Sequence, residues 1–325
     1  MNSIKNTELT VGRVYECQRN LFIVKVNGKE IPAKLKGSFY DMPEGSFPIV
    51  GDYVEVMYNT IGESVIYRVC ERKSVLKRPD QAKTATMQYM VANADYTFIV
   101  TALNEDYSYN RIARYVSVAL EGDTIPVVIL TKSDCCNNVG RYVSEVEGIA
   151  DGIKVHAISA LYGIGLEEVG EYFKPGVTIC LIGSSGAGKS TLINAMAGEE
   201  VMKTGAVRES DSTGKHTTTH RQIIDLKCGT SIIDTPGMRE IGMANIEEGI
   251  DSTFADIIEL ERQCKFSDCK HKTEPGCAVK AAIERGELAR ERLELYTSLS
   301  IENKNNSGKK KEIAKLQKAR KKIVY

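Results

Sequence analysis

No stretch of about eighteen consecutive apolar residues occurs in this 325-residue chain, so no membrane span is expected. The opening residues, Met1 to Leu9, are polar and lack the apolar core of an export signal, which argues against secretion. Net charge is missing too, since 43 Lys and Arg balance 43 Asp and Glu. Any attraction to a polyanion must therefore come from local clusters. Nine cysteines, an odd number partly scattered and partly clustered, do not make a disulfide framework. They point to reduced thiols, a metal site and a cytosolic compartment. At ~150 residues per domain, the length allows two or three domains.

What is present is arranged around Gly183-Ser184-Ser185-Gly186-Ala187-Gly188-Lys189-Ser190, which fits the phosphate-cradling pattern G-x-x-x-x-G-K-[ST]. The apolar run Val177 to Ile182 before it reads as a buried strand. Thr191 to Ala197 after it reads as a helix stopped by Gly198. Glycines let successive backbone N–H groups converge on phosphates, and the positive end of the helix faces them. Lys189 is expected at the terminal phosphates, and the Ser190 hydroxyl on Mg²⁺.

Residues 1–73 alternate short β-rich runs with Gly and Pro turns. Asn27-Gly28, between Leu21–Val26 and Lys29–Leu35, is a hairpin signal. Further strands are expected at Tyr53–Tyr58 and Ser64–Val69, making a small closed barrel of the OB or SH3-like kind. Phe22, Phe39, Tyr40, Tyr53 and Tyr58 are interleaved with Lys25, Lys29, Lys34 and Lys36, the stacking faces and cations of an RNA-binding surface. The competing reading makes half of these aromatics core and the lysines an ordinary rim. Lys77-Arg78-Pro79-Asp80 reads as a linker.

Residues 74–242 alternate strands (Asp95–Thr101, Ile125–Leu130, Lys154–Ile158) with helices such as Arg111–Leu120, the pattern of a covered parallel sheet. Ligands of such sheets bind at the carboxyl ends of strands. Thr131-Lys132-Ser133-Asp134 and Ser159-Ala160 close two of these strands, and Asp234-Thr235-Pro236-Gly237 closes the strand Thr230–Ile233. A carboxylate such as Asp134 can accept both the N1–H and the exocyclic amine of guanine, a donor pair that adenine lacks. Asp134 and Lys132 together disfavour a P-loop kinase or ATPase.

These motifs resemble the [NT]-K-x-D, Ser-Ala and D-x-x-G elements of guanine nucleotide-binding proteins, but the base-reading pair precedes Gly183 instead of following it. The order looks like a circular permutation. With its flanks, the whole chain resembles the ribosome small-subunit-dependent GTPase family (RsgA, also called YjeQ). That resemblance implies an OB-like barrel, a circularly permuted P-loop GTPase domain, and a helical zinc-binding domain over residues 243–302. It implies GTP and GDP as ligands, contributed to by Thr131, Lys132, Ser133, Asp134, Ser159, Ala160, Gly183–Thr191, Asp234 and Gly237. It also implies the small ribosomal subunit and its rRNA as partner.

The polar segment Gly205–Thr219 matches the family's first switch loop, where one threonine completes Mg²⁺ coordination. The assignment falls on Thr218, with Thr217 and Thr219 as register neighbours. Met238 stands where many GTPases carry the glutamine that orients water, so His216 is the candidate catalytic side chain beside Thr218 and Lys189. A surface or RNA-facing histidine is the competing reading.

Cys264-x4-Cys269-x-His271-x5-Cys277 offers three thiols and an imidazole, a tetrahedral structural Zn²⁺ set that the family shares. Helices are expected over Ile246–Arg262 and Ala278–Leu299. Residues 303–325 form a basic tail (Lys309-Lys310-Lys311, Lys315, Lys318, Arg320-Lys321-Lys322) suited to phosphates. Together these readings describe a monomeric cytoplasmic GTPase coupling hydrolysis to late maturation and release of the small subunit. The alternative is an RNA-binding scaffold with nucleotide as a regulatory ligand.

Overall fold

The computed structural model describes residues 9–18, 21–43, 45–59, 62–79, 87–203, 221–235, 250, 253–290 and 292–301. Strands β1 (Leu9–Cys17), β2 (Phe22–Val26), β3 (Lys29–Leu35), β4 (Tyr53–Met57) and β5 (Ser64–Val69) form a five-stranded barrel. Its order is β1-β2-β3-β5-β4, and β4 returns to pair with β1, which closes it. Asn27 (φ 48°) and Gly28 (φ 78°) both take left-handed backbone, the requirement of a tight two-residue hairpin turn. Every second residue of β2 points inward, joining Val14, Ala33, Phe39, Val54, Val56 and Ile66 in one apolar interior. Phe22 and Phe39 are thus core, whereas Tyr40, Tyr53 and Tyr58 are exposed.

Two strands follow, β6 (Val75–Pro79) and β7 (Met87–Ala92), paired antiparallel as a separate ribbon. Lys77-Arg78-Pro79 is therefore strand, not linker. Leu76 is fully buried and draws the segment onto the core, and Pro79 falls on the last strand position, where a missing N–H does least harm.

The central unit runs β8 (Tyr96–Ala102), α1 (Tyr109–Glu121), β9 (Ile125–Thr131), α2 (Val139–Glu147), β10 (Lys154–Ala157), α3 (Leu166–Gly170), β11 (Thr178–Ile182), α4 (Lys189–Ala197), β12 (Gln222–Asp225) and β13 (Ser231–Asp234). Its strand order is β10-β9-β8-β11-β13-β12, parallel except for β12. The sheet is apolar on both faces. Ile99, Val128, Leu130 and Ile182 pack with Ile112, Tyr115 and Val116 of α1. Phe98, Val100, Ile129 and Leu181 pack with Leu192 and Ile193 of α4. The unit meets the barrel edge to edge, where Glu16 of β1 pairs with Gln222 of β12.

The C-terminal helices α5 (Ala255–Arg262), α6 (Ala278–Glu284) and one over 292–301 lie against α1 and α2. The single helix expected from Ala278 to Leu299 is broken after Glu284, where Gly286 turns left-handed (φ 74°). That turn lets Leu288, Leu295 and Leu299 reach the same apolar cluster as Phe254 and Val279. Arg292 pins the arrangement, bonding Asp256, the Thr253 carbonyl and the Gly148 and Ile149 carbonyls at the end of α2. Among the described residues, no helix is long and apolar enough to cross a membrane.

Candidate functional site

At the end of β11 the chain needs a residue without a side chain. A Cβ on Gly183 (φ 145°) would lie 2.2 Å from the Val100 carbonyl oxygen of β8. Gly186 (φ 73°) and Gly188 (φ 93°) then curl the loop through left-handed backbone, and α4 starts at Lys189. Lys189 Nζ donates to the Gly183 and Ser184 carbonyls, at 2.9 and 2.7 Å, and so is held along the inside of the loop.

The Thr131–Asp134 turn touches this loop directly, across 56 residues of chain. Thr131, the buried last residue of β9, donates through Oγ1 to the Ala187 carbonyl at 2.6 Å. Lys132 turns left-handed (φ 57°), and the Ser133 N–H bonds the Ile158 carbonyl at 3.1 Å. That bond ties the Asp134 turn to the Ser159-Ala160 turn, itself closed by reciprocal bonds between Ser159 and Ile164. Asp134 is exposed, and its carboxyl is held below the usual carboxylate range, first by the Ser159 hydroxyl and then by the Cys135 thiol. The thiol sits 3.3 Å from Oδ2, whereas the Ser159 hydroxyl falls short of full hydrogen-bond geometry. An ionised acceptor pair is thus presented to solvent beside the loop.

Asp234, at the end of β13, behaves oppositely. Burial pushes its carboxyl up, against the pull of the Lys189 charge and the Thr235 N–H. Its Oδ1 is buried with no hydrogen-bond partner among the described residues, an acceptor of the kind that a bound cation or its water shell satisfies. Thr235 Oγ1 donates to the Leu181 carbonyl at 2.6 Å, fixing the start of that turn to β11.

The strand tips therefore bring together Thr131 to Asp134, Ser159, Ala160, Gly183 to Thr191 and Asp234. His216, Thr217, Thr218, Thr219, Gly237, Met238 and the tail from residue 302 lie outside the described residues. The sequence reading passed over Asp106. It lies in the turn between β8 and α1, accepts from Ser184 Oγ of the phosphate loop, and is ion-paired with Arg111 at 3.0 Å. The only available signal was its place at the carboxyl end of a parallel strand.

A second constellation sits between α5 and α6. The ligand atoms of Cys264, Cys269, His271 and Cys277 all lie within 4.8 Å of one another. His271 Nδ1 is 3.4 Å from Cys277 Sγ and 3.8 Å from Cys264 Sγ. Nε2 is 2.9 Å from Glu261 Oε1, so Nε2–H donates to the carboxylate and Nδ1 keeps its lone pair. Burial raises the Cys264 thiol, but the N–H groups of Val279 and Ala278 outweigh it and bring the thiol below its ordinary value. Three thiols and one imidazole around a common centre fit a closed, tetrahedral Zn²⁺ site. Glu261, also passed over in the sequence reading, further accepts from Tyr296 OH at 3.0 Å.

A glycine-rich loop at the end of β11, hydrogen-bonded to the Thr131–Asp134 turn from earlier in the chain, is the arrangement of a circularly permuted P-loop GTPase. The sequence model of the RsgA GTPase matches residues 69–244. The chain belongs to the RsgA GTPase family and is a GTP hydrolase. A second model, described as a 50S ribosome-binding GTPase, matches residues 178–322, starting at the first residue of β11. The small ribosomal subunit biogenesis GTPase RsgA 2 of Listeria monocytogenes is 42% identical over 292 residues, 90% of this chain and 83% of that protein. The crystal structure of YjeQ from Thermotoga maritima is 31% identical with a TM-score of 0.68, covering 90% of this chain and 97% of that one. YloQ, described as a circularly permuted GTPase, shares the fold at a TM-score of 0.64 and 22% identity, over 94% of this chain and 98% of that one.

Proposed function

We propose that this chain binds GTP across the tips of β9, β11 and β13 and couples its hydrolysis to late maturation of the small ribosomal subunit. The observation that carries the nucleotide assignment is the 2.6 Å bond from Thr131 to Ala187, which joins the base-reading and phosphate-holding loops into one pocket. Asp134 accepts the two guanine donors, with Ser159 and Ala160 supporting that edge of the base and Lys132 lying along its face. Backbone N–H groups from Gly183 to Thr191 surround the phosphates, and Lys189 meets the charge that develops on them. Mg²⁺, when bound, neutralises β- and γ-phosphate oxygens. Ser190 and Thr218 would hold it, with Asp234 accepting from its water shell and Gly237 donating to the γ-phosphate. His216 would orient the attacking water, since Met238 cannot.

The partner follows from the relatives, which are named for small ribosomal subunit biogenesis. The barrel, over residues 1–73, and the zinc-binding region with its basic tail, over 243–302 and 303–325, are read as rRNA-contacting appendages of a GTPase domain at 74–242. The zinc is structural, and the protein acts as a cytoplasmic monomer. Single-turnover GTP hydrolysis with purified small or large subunits tests the reading. Small subunits should accelerate turnover at least tenfold, and His216→Ala should abolish the acceleration while leaving GTP affinity nearly intact. Equal rates with and without small subunits would instead favour an RNA-binding scaffold.

A further inference from the structure

We propose that Asp106 is a positioning residue for Lys189, acting through Ser184, so that the turn between β8 and α1 sets the phosphate loop's grip on nucleotide. The inference rests on the GTP-binding reading above. Asp106 is part-exposed but held at several points. Its backbone N–H bonds Asn104 Oδ1 at 3.1 Å, Arg111 bonds its carbonyl, and Arg111 also pairs with Oδ1 at 3.0 Å. The turn is anchored at both ends. The Leu103 N–H bonds the Thr131 carbonyl at 2.9 Å, and Ser108 caps α1 by accepting from the Arg111 N–H. The remaining carboxylate oxygen, Oδ2, accepts a hydrogen bond from the Ser184 hydroxyl.

Ser184 is therefore gripped twice. Asp106 holds its side chain, while its carbonyl, with that of Gly183, receives the Lys189 ammonium. A lysine carries its charge on a flexible four-carbon stem, so the direction of that charge is set by the carbonyls it bonds. Releasing the Ser184 hydroxyl frees the peptide that aims Lys189. Arg111 balances the Asp106 charge, so this brace adds no net negative charge opposite the triphosphate. The turn lies at the carboxyl end of β8, next to β11 in the sheet, so the brace spans the two neighbouring strands at the centre of the site.

The experiment uses the full chain, titrated with a fluorescent GTP analogue and followed through single-turnover hydrolysis. Asp106→Ala and Ser184→Ala should each weaken binding about tenfold, the weight of one hydrogen bond to a charged group. Asp106→Asn, whose amide oxygen can still accept from Ser184, should recover most of that loss. The double variant Asp106→Ala/Ser184→Ala should be no weaker than either single variant, because both remove one link. Unchanged affinity in Ser184→Ala, additive losses in the double variant, or no recovery in Asp106→Asn would each overturn the proposal. Absence of GTP binding by the unmutated chain would instead remove the nucleotide reading itself, a separable result.

Discussion

Asp225, on the last strand of the nucleotide sheet, accepts a hydrogen bond from Lys25 of the barrel at 2.6 Å. Tyr15 of the barrel donates to the same carboxylate oxygen at 2.6 Å, and Ser231 donates to the other at 2.7 Å. Arg13 adds a bond to Thr178 Oγ1 at 2.7 Å. Lys25, grouped by sequence with the RNA-facing cations, is instead engaged at the seam between barrel and GTPase sheet.

That seam has a defined pH response. Partial burial raises the Asp225 carboxyl, but Lys25, Tyr15 and Ser231 outweigh it and hold it below the usual range. A carboxylate depressed in the folded state contributes stability above its unfolded value of about 3.9 and loses it as pH falls through the folded value. Asp225→Asn should therefore lower unfolding stability by about 1 kcal/mol at pH 7, solvent screening keeping the figure small. In urea titrations the gap between variant and wild type should close below about pH 4. A pH-independent gap would mean that the ionic contribution is absent.

Guanine selection should rest on Asp134 and its link to the loop. Asp134→Asn should weaken GTP binding on the order of a hundredfold, through loss of two charge-assisted hydrogen bonds, and should relax discrimination against ATP. Thr131→Val keeps the shape but leaves the Ala187 carbonyl unpaired. It should destabilise the fold by roughly 1–3 kcal/mol and weaken GTP and GDP alike. Competition titrations with the two nucleotides and ATP, beside thermal melts, separate the two effects.

The proposed zinc site of Cys264, Cys269, His271 and Cys277 makes a prediction about a residue outside the ligand set. Glu261 orients His271 and is itself held by Tyr296 of the last described helix. Glu261→Ala should reduce zinc affinity roughly 10- to 100-fold in competition with a chromophoric chelator, and Tyr296→Phe by less. If a metal holds Cys264, Cys269, His271 and Cys277, stripping it should increase proteolysis around 264–277, because only local bonds such as Lys265 N–H to the Gly276 carbonyl and the Glu274 carboxylate to the Lys270, Lys272 and Thr273 N–H groups then hold the loop between α5 and α6.

Features fixed by neighbours in sequence were legible from the start. Asn27-Gly28 announced its turn because only left-handed backbone closes a two-residue hairpin, and Gly183 announced its loop through its spacing to Gly188-Lys189-Ser190. The parallel strands were legible from continuous β-branched runs. What stayed hidden depends on partners far along the chain. Pro79 reads as a breaker until β7 is known to lie beside it, and Gly286 reads as helix interior until Leu295 needs a place in the core. Asp106 and Glu261 are unremarkable acids by composition, and only tertiary packing brings them against Ser184 and His271.

The permuted chain order also sets a timetable for synthesis. The turns proposed to select guanine, at Thr131–Asp134 and Ser159-Ala160, leave the ribosome before the phosphate loop, while β8 still has one flank open where β11 will later insert. Chains emerge at about 5–20 residues per second, so a nascent polypeptide passes seconds as a half-sheet with a base-selecting turn and nothing to hold a triphosphate. A newborn molecule stays blind to nucleotide until the middle strand arrives.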